Sequence, residues 1–163
     1  MRTLVAYFSV SGHTKAAAAA IAEPLGADLE RIEAVKPLPG SRQALLFLGG
    51  FAASMKFAWA ARPASRKPGD YDLVIIGTPI WAWKLNPVVR GWLRANPLPA
   101  NVPYAAFATA GGVVGSQAFD DMAAMLGRAP RATTTICDAD RKSGGDKRLI
   151  ERFVADVQGR TPG

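Results

Sequence analysis

The feature that most constrains this chain is a recurrence of short, unbroken apolar runs separated by helix-forming stretches. Thr3-Leu4-Val5-Ala6-Tyr7-Phe8 and Asp72-Leu73-Val74-Ile75-Ile76-Gly77 carry almost no polar side chain. Each therefore reads as a strand buried on both faces, not as a half-exposed one. Val102 to Ala108 and Ala132 to Cys137 supply two more strands, while the alternating Ala27 to Glu33 suits a short strand near a sheet edge. Helices are expected over Lys15 to Glu23, which contains five consecutive alanines and is stopped by Pro24 and Gly26, and over Ser41 to Ala61, with Gly49-Gly50 as a candidate break. Three more are expected over Asn86 to Arg94, Ser116 to Leu126 and Asp146 to Val157. Strands alternating with helices make βαβ units, and right-handed crossovers turn these into a parallel sheet with helices on both faces. The expected class is α/β, a three-layer sandwich in one domain spanning 1–163; a chain of this length buries roughly 70% of its unfolded surface.

Charge narrows the function. The chain has 20 Lys and Arg against 13 Asp and Glu, a formal charge of +7, which by itself suggests a nucleic-acid binder. Between Lys36 and Arg94, however, stand nine basic residues and only two acidic ones, Asp70 and Asp72, so this segment carries the whole excess. A local basic surface is not a nucleic-acid footprint, and no nucleic-acid partner is expected. The single cysteine, Cys137, excludes a disulfide framework and reads as a buried thiol in an apolar strand; the single histidine, His13, leaves no basis for a His-rich metal site. Met1-Arg2 leads straight into a strand-like run without an apolar signal region, so a cytoplasmic protein is expected. The most membrane-like stretch, Ala44 to Ala61, is interrupted by Gly49-Gly50, Ser54 and Lys56, and no transmembrane segment is expected.

In open parallel sheets ligands bind beyond the carboxyl ends of the strands, which brings three loops into view. Ser9-Val10-Ser11-Gly12-His13-Thr14 joins a buried strand to a helix with hydroxyls and one glycine. Such a helix N-terminus is a natural phosphate site, and equally an ordinary cap in which Ser11 or Thr14 satisfies the first turn. The loop lacks the three glycines of a dinucleotide fingerprint, and Lys15 is followed by Ala16 instead of the hydroxyl of a Walker loop. Thr78 to Pro87 presents Trp81 and Trp83 at a strand end, where an indole either covers a flat aromatic ligand or packs under the next helix. Thr109-Ala110-Gly111-Gly112-Val113-Val114-Gly115 has so little side chain that a planar ligand can lie against its backbone.

Together these loops describe a phosphate pocket, an aromatic wall and a flat backbone wall, and with them the sequence resembles the flavodoxin family. Ser9-Val10-Ser11-Gly12-His13-Thr14 is similar to that family's FMN phosphate loop, Gly77-Thr78-Pro79-Ile80-Trp81-Ala82-Trp83 to its first ring-flanking loop, and Ala108-Thr109-Ala110-Gly111-Gly112 to its second. The resemblance implies a five-stranded sheet of order 2-1-3-4-5. It also implies FMN, with the phosphate on Ser9, Val10, Ser11, Gly12, His13 and Thr14. The ring would lie between Thr78, Pro79, Ile80, Trp81, Ala82 and Trp83 on one side and Thr109, Ala110, Gly111, Gly112 and Val113 on the other. His13 stands where similar proteins commonly have Asn, and either donates to the phosphate or points to solvent. The implied activity is an oxidoreductase passing electrons from NADH or NADPH to a quinone-like or other small acceptor. The alternatives are an electron carrier serving an acidic redox protein and a flavin-free interaction module. No catalytic side chain and no metal ligand is assigned.

Two features depart from the family. Carrier flavodoxins are usually acidic and this chain is basic, which favours small acceptors or acidic partners. Ala82 fills a position where carriers often have glycine, and an L-residue resists the left-handed backbone, so two-electron chemistry is expected. The 41–61 helix is also too apolar for one-sided packing. Leu45, Leu48, Ala52, Met55 and Trp59 form one stripe, with Leu46, Phe47, Phe51 and Phe57 largely off it. That surplus suits a lid, a substrate pocket, a homodimer interface or a more deeply buried helix.

Overall fold

The computed structural model describes residues 1–112 and 117–159. Among these residues a single parallel sheet holds five strands in the order β2-β1-β3-β4-β5, with β1 at Thr3–Tyr7, β2 at Asp28–Arg31, β3 at Leu73–Pro79, β4 at Tyr104–Ala110 and β5 at Thr133–Cys137. The expected class and strand order are those observed. β1 pairs in parallel with both β2 and β3 (Val5 opposite Leu29 and Ile75), so the first strand lies inside the sheet and β2 forms its edge.

Period-2 geometry divides the strand side chains between two cores. Val5, Tyr7, Leu73, Ile75, Ala105 and Phe107 face α1 (His13–Leu25) and α6 (Asp146–Val157), whose Ala18, Ile21, Phe153 and Val157 complete that layer. Leu4, Ala6, Val74, Ile76, Tyr104 and Ala106 face the other layer, made by α2 (Arg42–Ser54), α3 (Pro87–Ala95) and α4 (Gln117–Leu126). A short α5 (Asp138–Ser143) follows β5 directly and had no counterpart in the sequence reading.

Three expectations need correction. Pro24 does not stop α1 but sits in its last turn, and Gly26 ends the helix in the left-handed region at φ 56°. The helix expected over 41–61 ends at Ser54 and runs through Gly49-Gly50 unbroken. Lys56 turns left-handed (φ 56°) while its amide donates to Ala53 and that of Phe57 to Ala52; the Phe57 ring meets Phe51 edge-on at a centroid separation of 6.2 Å. This pattern closes a helix by satisfying its last carbonyls. Beyond it, Trp59 donates to Pro87, and residues 60–62 exchange backbone bonds with 33–35. The third correction concerns Cys137, which ends β5 half-buried, with its Sγ donating to the Gly112 carbonyl at 3.0 Å.

Buried polar groups join the layers. Arg90 of α3 and Asp121 of α4 form an ion pair at 3.0 Å, and the same Asp121 oxygen accepts from the Leu85 amide at 3.2 Å. Burial lowers the Arg90 pKa, and the neighbouring Asp121 carboxylate opposes that shift. On β4, the buried Tyr104 hydroxyl donates to the Arg128 carbonyl. Desolvation pushes its pKa up to about 12, against the opposing Arg128 charge. The unfolded phenol ionises near 10, so the native state retains a proton that the unfolded chain releases. Tyr104 therefore contributes stability below about pH 10 that is lost as pH rises toward 12, by about 3 kcal/mol. Urea unfolding of wild type and Tyr104→Phe between pH 9 and 12 should show the steeper loss only in the wild type.

Candidate functional site

The carboxyl edge of the sheet opens into a cavity of about 630 Å³. β1 delivers the first loop to it. Gly12 (φ 93°) caps α1 without a side-chain bond, and Ser9 Oγ accepts from the amides of Gly12 at 3.2 Å and Lys15 at 3.3 Å. The hydroxyl that satisfies the first turn is thus that of Ser9, not of Ser11 or Thr14, because Ser9 stands at the strand end and reaches forward over the turn. The amides of His13 and Thr14 precede the first intrahelical bond, Ala16 to Gly12, and have no hydrogen-bond acceptor among the described residues. Thr14 is buried, and its hydroxyl meets that of Thr109 at 2.7 Å. That bond ties the first loop to the third.

The second loop is bound to the third through the Ile80 amide, which donates to the Thr109 carbonyl at 2.9 Å. Its two tryptophans part company. Trp81 is only 8% exposed, with its ring edge-on to Phe8 and Trp59 at 6.1 Å from each, whereas Trp83 is 60% exposed and does not line the cavity. Between them runs a tight turn, in which Lys84 donates to Trp81 at 3.0 Å and Ala82 (φ 49°) and Trp83 (φ 62°) both stand left-handed. Positive φ at both central residues is the pattern of a type I′ turn. It costs about 1–2 kcal/mol per L-residue. Ala82 thus adopts the left-handed backbone that an L-residue resists, because closure of the Trp81–Lys84 bridge outweighs the local steric cost.

Of the residues predicted for the site, Val10, Ser11, His13, Thr14, Pro79, Ile80, Trp81, Thr109, Ala110 and Gly111 line the cavity. Ser9, Gly12, Thr78, Ala82, Trp83 and Gly112 do not line it. Ser9 and Gly12 shape the first loop from behind, and Thr78 is fully buried with its hydroxyl on the Pro79 carbonyl. Val113 lies outside the described residues. Among the described residues a Cβ built on Gly111 would meet only Asp138 Oδ2, at 3.8 Å, and one on Gly112 would meet nothing within 4 Å. Packing among the described residues therefore does not demand glycine at either position.

Two further parts of the wall lie outside the predicted site residues, the first from the helix for which a lid or pocket role was among the expectations, the second missed by sequence reasoning. Residues 38–41 enter from the connection before α2, Arg42, Leu45 and Leu46 from α2 itself, and Asp138 and Arg141 from α5. Arg141 is ion-paired with Asp138, and it donates to the Ile136 carbonyl at 3.3 Å. The available signal was Cys137: a strand ending there puts residue 138 at the same carboxyl edge as the three loops already in view.

The chain is also matched, over residues 2–130, by the family model described as Flavodoxin. The chain belongs to the flavodoxin family. Solved structures share the fold. A Lactobacillus acidophilus flavoprotein in complex with FMN is 18% identical, with 87% of this chain and 97% of that one covered at a TM-score of 0.70. A Bacteroides uniformis flavoprotein is 24% identical, with 92% and 97% covered at 0.68. An apo NADH:FMN oxidoreductase is 16% identical, with 94% and 89% covered at 0.52. No curated protein sequence matches the chain.

In this flavodoxin-family chain the position of Trp81 depends on Gly49 of α2. A Cβ there would stand 2.5 Å from Trp81 Cε3 and Cζ3. Gly49→Ala should therefore displace the indole, lower stability by about 1–3 kcal/mol and alter the near-UV circular dichroism of the Trp59–Trp81 contact. Urea unfolding and near-UV spectra check this.

Proposed function

We propose that this chain binds FMN in the crevice and works as an oxidoreductase, passing electrons from NADH or NADPH to a quinone-like or other small acceptor. The observation that carries the reading is the pairing of open first-turn amides with a bare backbone wall across one cavity. The amides of His13 and Thr14, with the hydroxyl of Ser11, would take the phosphate through neutral donors and the positive end of α1. Trp81, Ala110 and Gly111 would flank the ring. The donor set fits: it is rich in N–H and O–H groups where an anion would sit and nearly free of side chain where a flat ring would lie.

FMN, when bound, supplies the two-electron redox centre. The chain's own residues bind it, orient it and exclude water from one side. Arg42, which lines the cavity and has no ion pair among the described residues, supplies a positive charge for the phosphates of a nicotinamide nucleotide. In the net reaction the reduced nicotinamide gives up two electrons and one proton. The acceptor takes up two electrons and two protons, the second from water. A donor of this kind is also named for one neighbour of the same fold, the NADH:FMN oxidoreductase.

The second reading, a protein-to-protein electron carrier, draws on the protruding Trp83 and the basic 36–94 segment, which suit an acidic partner. FMN titration followed by NADH and NADPH oxidation in the presence of a soluble quinone separates the two. Uptake of FMN and quinone-dependent oxidation are the expected results. FMN uptake without that oxidation favours the carrier, and no uptake removes both readings. Gly111→Val should weaken FMN binding by roughly tenfold or more while leaving thermal stability unchanged, because the added side chain enters the cavity and not the core.

A further inference from the structure

The surface beside the crevice carries a second feature that flavin binding does not explain. α2 buries only one of its large side chains, Leu45. Its inward face is Leu45, Gly49, Ala52 and Ala53, small enough for the helix to lie close on the Trp81 ring. Leu46, Phe47, Leu48, Phe51 and Met55 are exposed, Phe47 to 75%. The exposed Phe57 packs against Phe51 and extends this face past the end of the helix. A Cβ on Gly50 would lie 3.8 Å from that of Ala82, so the turn presenting Trp83 stands next to the same helix.

Charge identifies what covers this face. No Asp or Glu occurs between Ala34 and Gly69, whereas Lys36, Arg42, Lys56, Arg62, Arg66 and Lys67 do. Arg62 and Arg66 pair with acids of β2 and its end, and Lys56 lies 3.7 Å from Asp121 while its own side chain remains 60% exposed. Lys36 and Arg42 have no ion pair among the described residues. A second copy docking through the same patch would set Lys36, Arg42 and the exposed Lys56 of one copy against those of the other, because a two-fold interface pairs a patch with itself. An anionic bilayer meets both halves of the surface. Phenylalanine, leucine and methionine side chains enter the acyl boundary, an indole sits at the headgroups, and lysine and arginine meet lipid phosphates.

We infer that α2 and the adjoining Phe57 and Trp83 form a peripheral docking face for an anionic lipid bilayer. Arg42, Leu45 and Leu46 also line the crevice, so docking sets its mouth against the membrane. Resting on the proposed oxidoreductase reading, this makes the acceptor class a lipid-soluble quinone-like molecule that reaches the crevice from the bilayer.

Co-sedimentation of the full chain with vesicles tests the docking face without reference to FMN, so failure here and failure of the flavin reading are distinguishable. Binding to phosphatidylcholine vesicles containing about 30% phosphatidylglycerol should exceed binding to pure phosphatidylcholine by roughly tenfold or more and should weaken at high salt. Phe47→Ser and Phe51→Ser, both at exposed positions, should each reduce vesicle binding several-fold with unchanged far-UV circular dichroism. Equal sedimentation with and without anionic vesicles overturns the inference. So does wild-type vesicle binding by Phe47→Ser, or a stable dimer in light scattering that Phe47→Ser dissociates.

Discussion

The placement of one indole governs much of the upper half of this protein. Trp81 leaves the end of β3, turns inward and fills the space between Phe8, Trp59 and the glycine face of α2. Because Gly49 offers no side chain, the helix approaches the ring directly, and its small residues do the packing. The large residues of α2 are then left facing outward. The same contact brings the N-terminal end of α2 to the crevice, where 38–42, Leu45 and Leu46 form a wall. An aromatic core contact, the wall of the crevice and an exposed apolar face thus have a common origin.

The crevice is held together by short polar links between loops that are far apart in sequence. Thr14 and Thr109 share a hydroxyl bond, Ile80 donates to Thr109, and Cys137 donates to Gly112. Behind them, Asp121 fixes the exit of the second loop by accepting from Leu85 while it neutralises the buried Arg90. These bonds satisfy groups that would be costly to bury alone. They leave the amides of His13 and Thr14 and the backbone of Gly111 facing the cavity. The site is therefore rigid in its frame and open at the positions suited to an anion and a flat ring.

The strands and the three loops were legible because their signals are local. A continuous apolar run identifies a strand buried on both faces, and a hydroxyl-glycine turn ahead of an alanine-rich stretch identifies a helix start. The 41–61 segment shows the limit. By periodicity Leu48 and Met55 belonged to the buried stripe, yet both are exposed. Gly49 and Ala53 are buried in their place, beside Leu45 and Ala52 of that stripe, since hydrophobicity ranks a leucine above a glycine and contains nothing about the shape of the surface opposite. The left-handed turn at Ala82 and Trp83 was missed for a related reason: local steric preference opposed it, and only the Trp81–Lys84 closure outweighs that preference.

By itself, then, the sequence determined the α/β class, the strand order through its family motifs, the three loops at the carboxyl edge of the sheet and the confinement of the basic excess to one segment. Each follows from patterns within a few residues or from charge counted along the chain. Only the tertiary structure decided which tryptophan is buried, that Asp138 and Arg141 complete the crevice wall, and which face of α2 turns outward. Those outcomes depend on which surfaces meet across the sheet edge, and steric fit between elements distant in the chain is not encoded in the periodicity of either one.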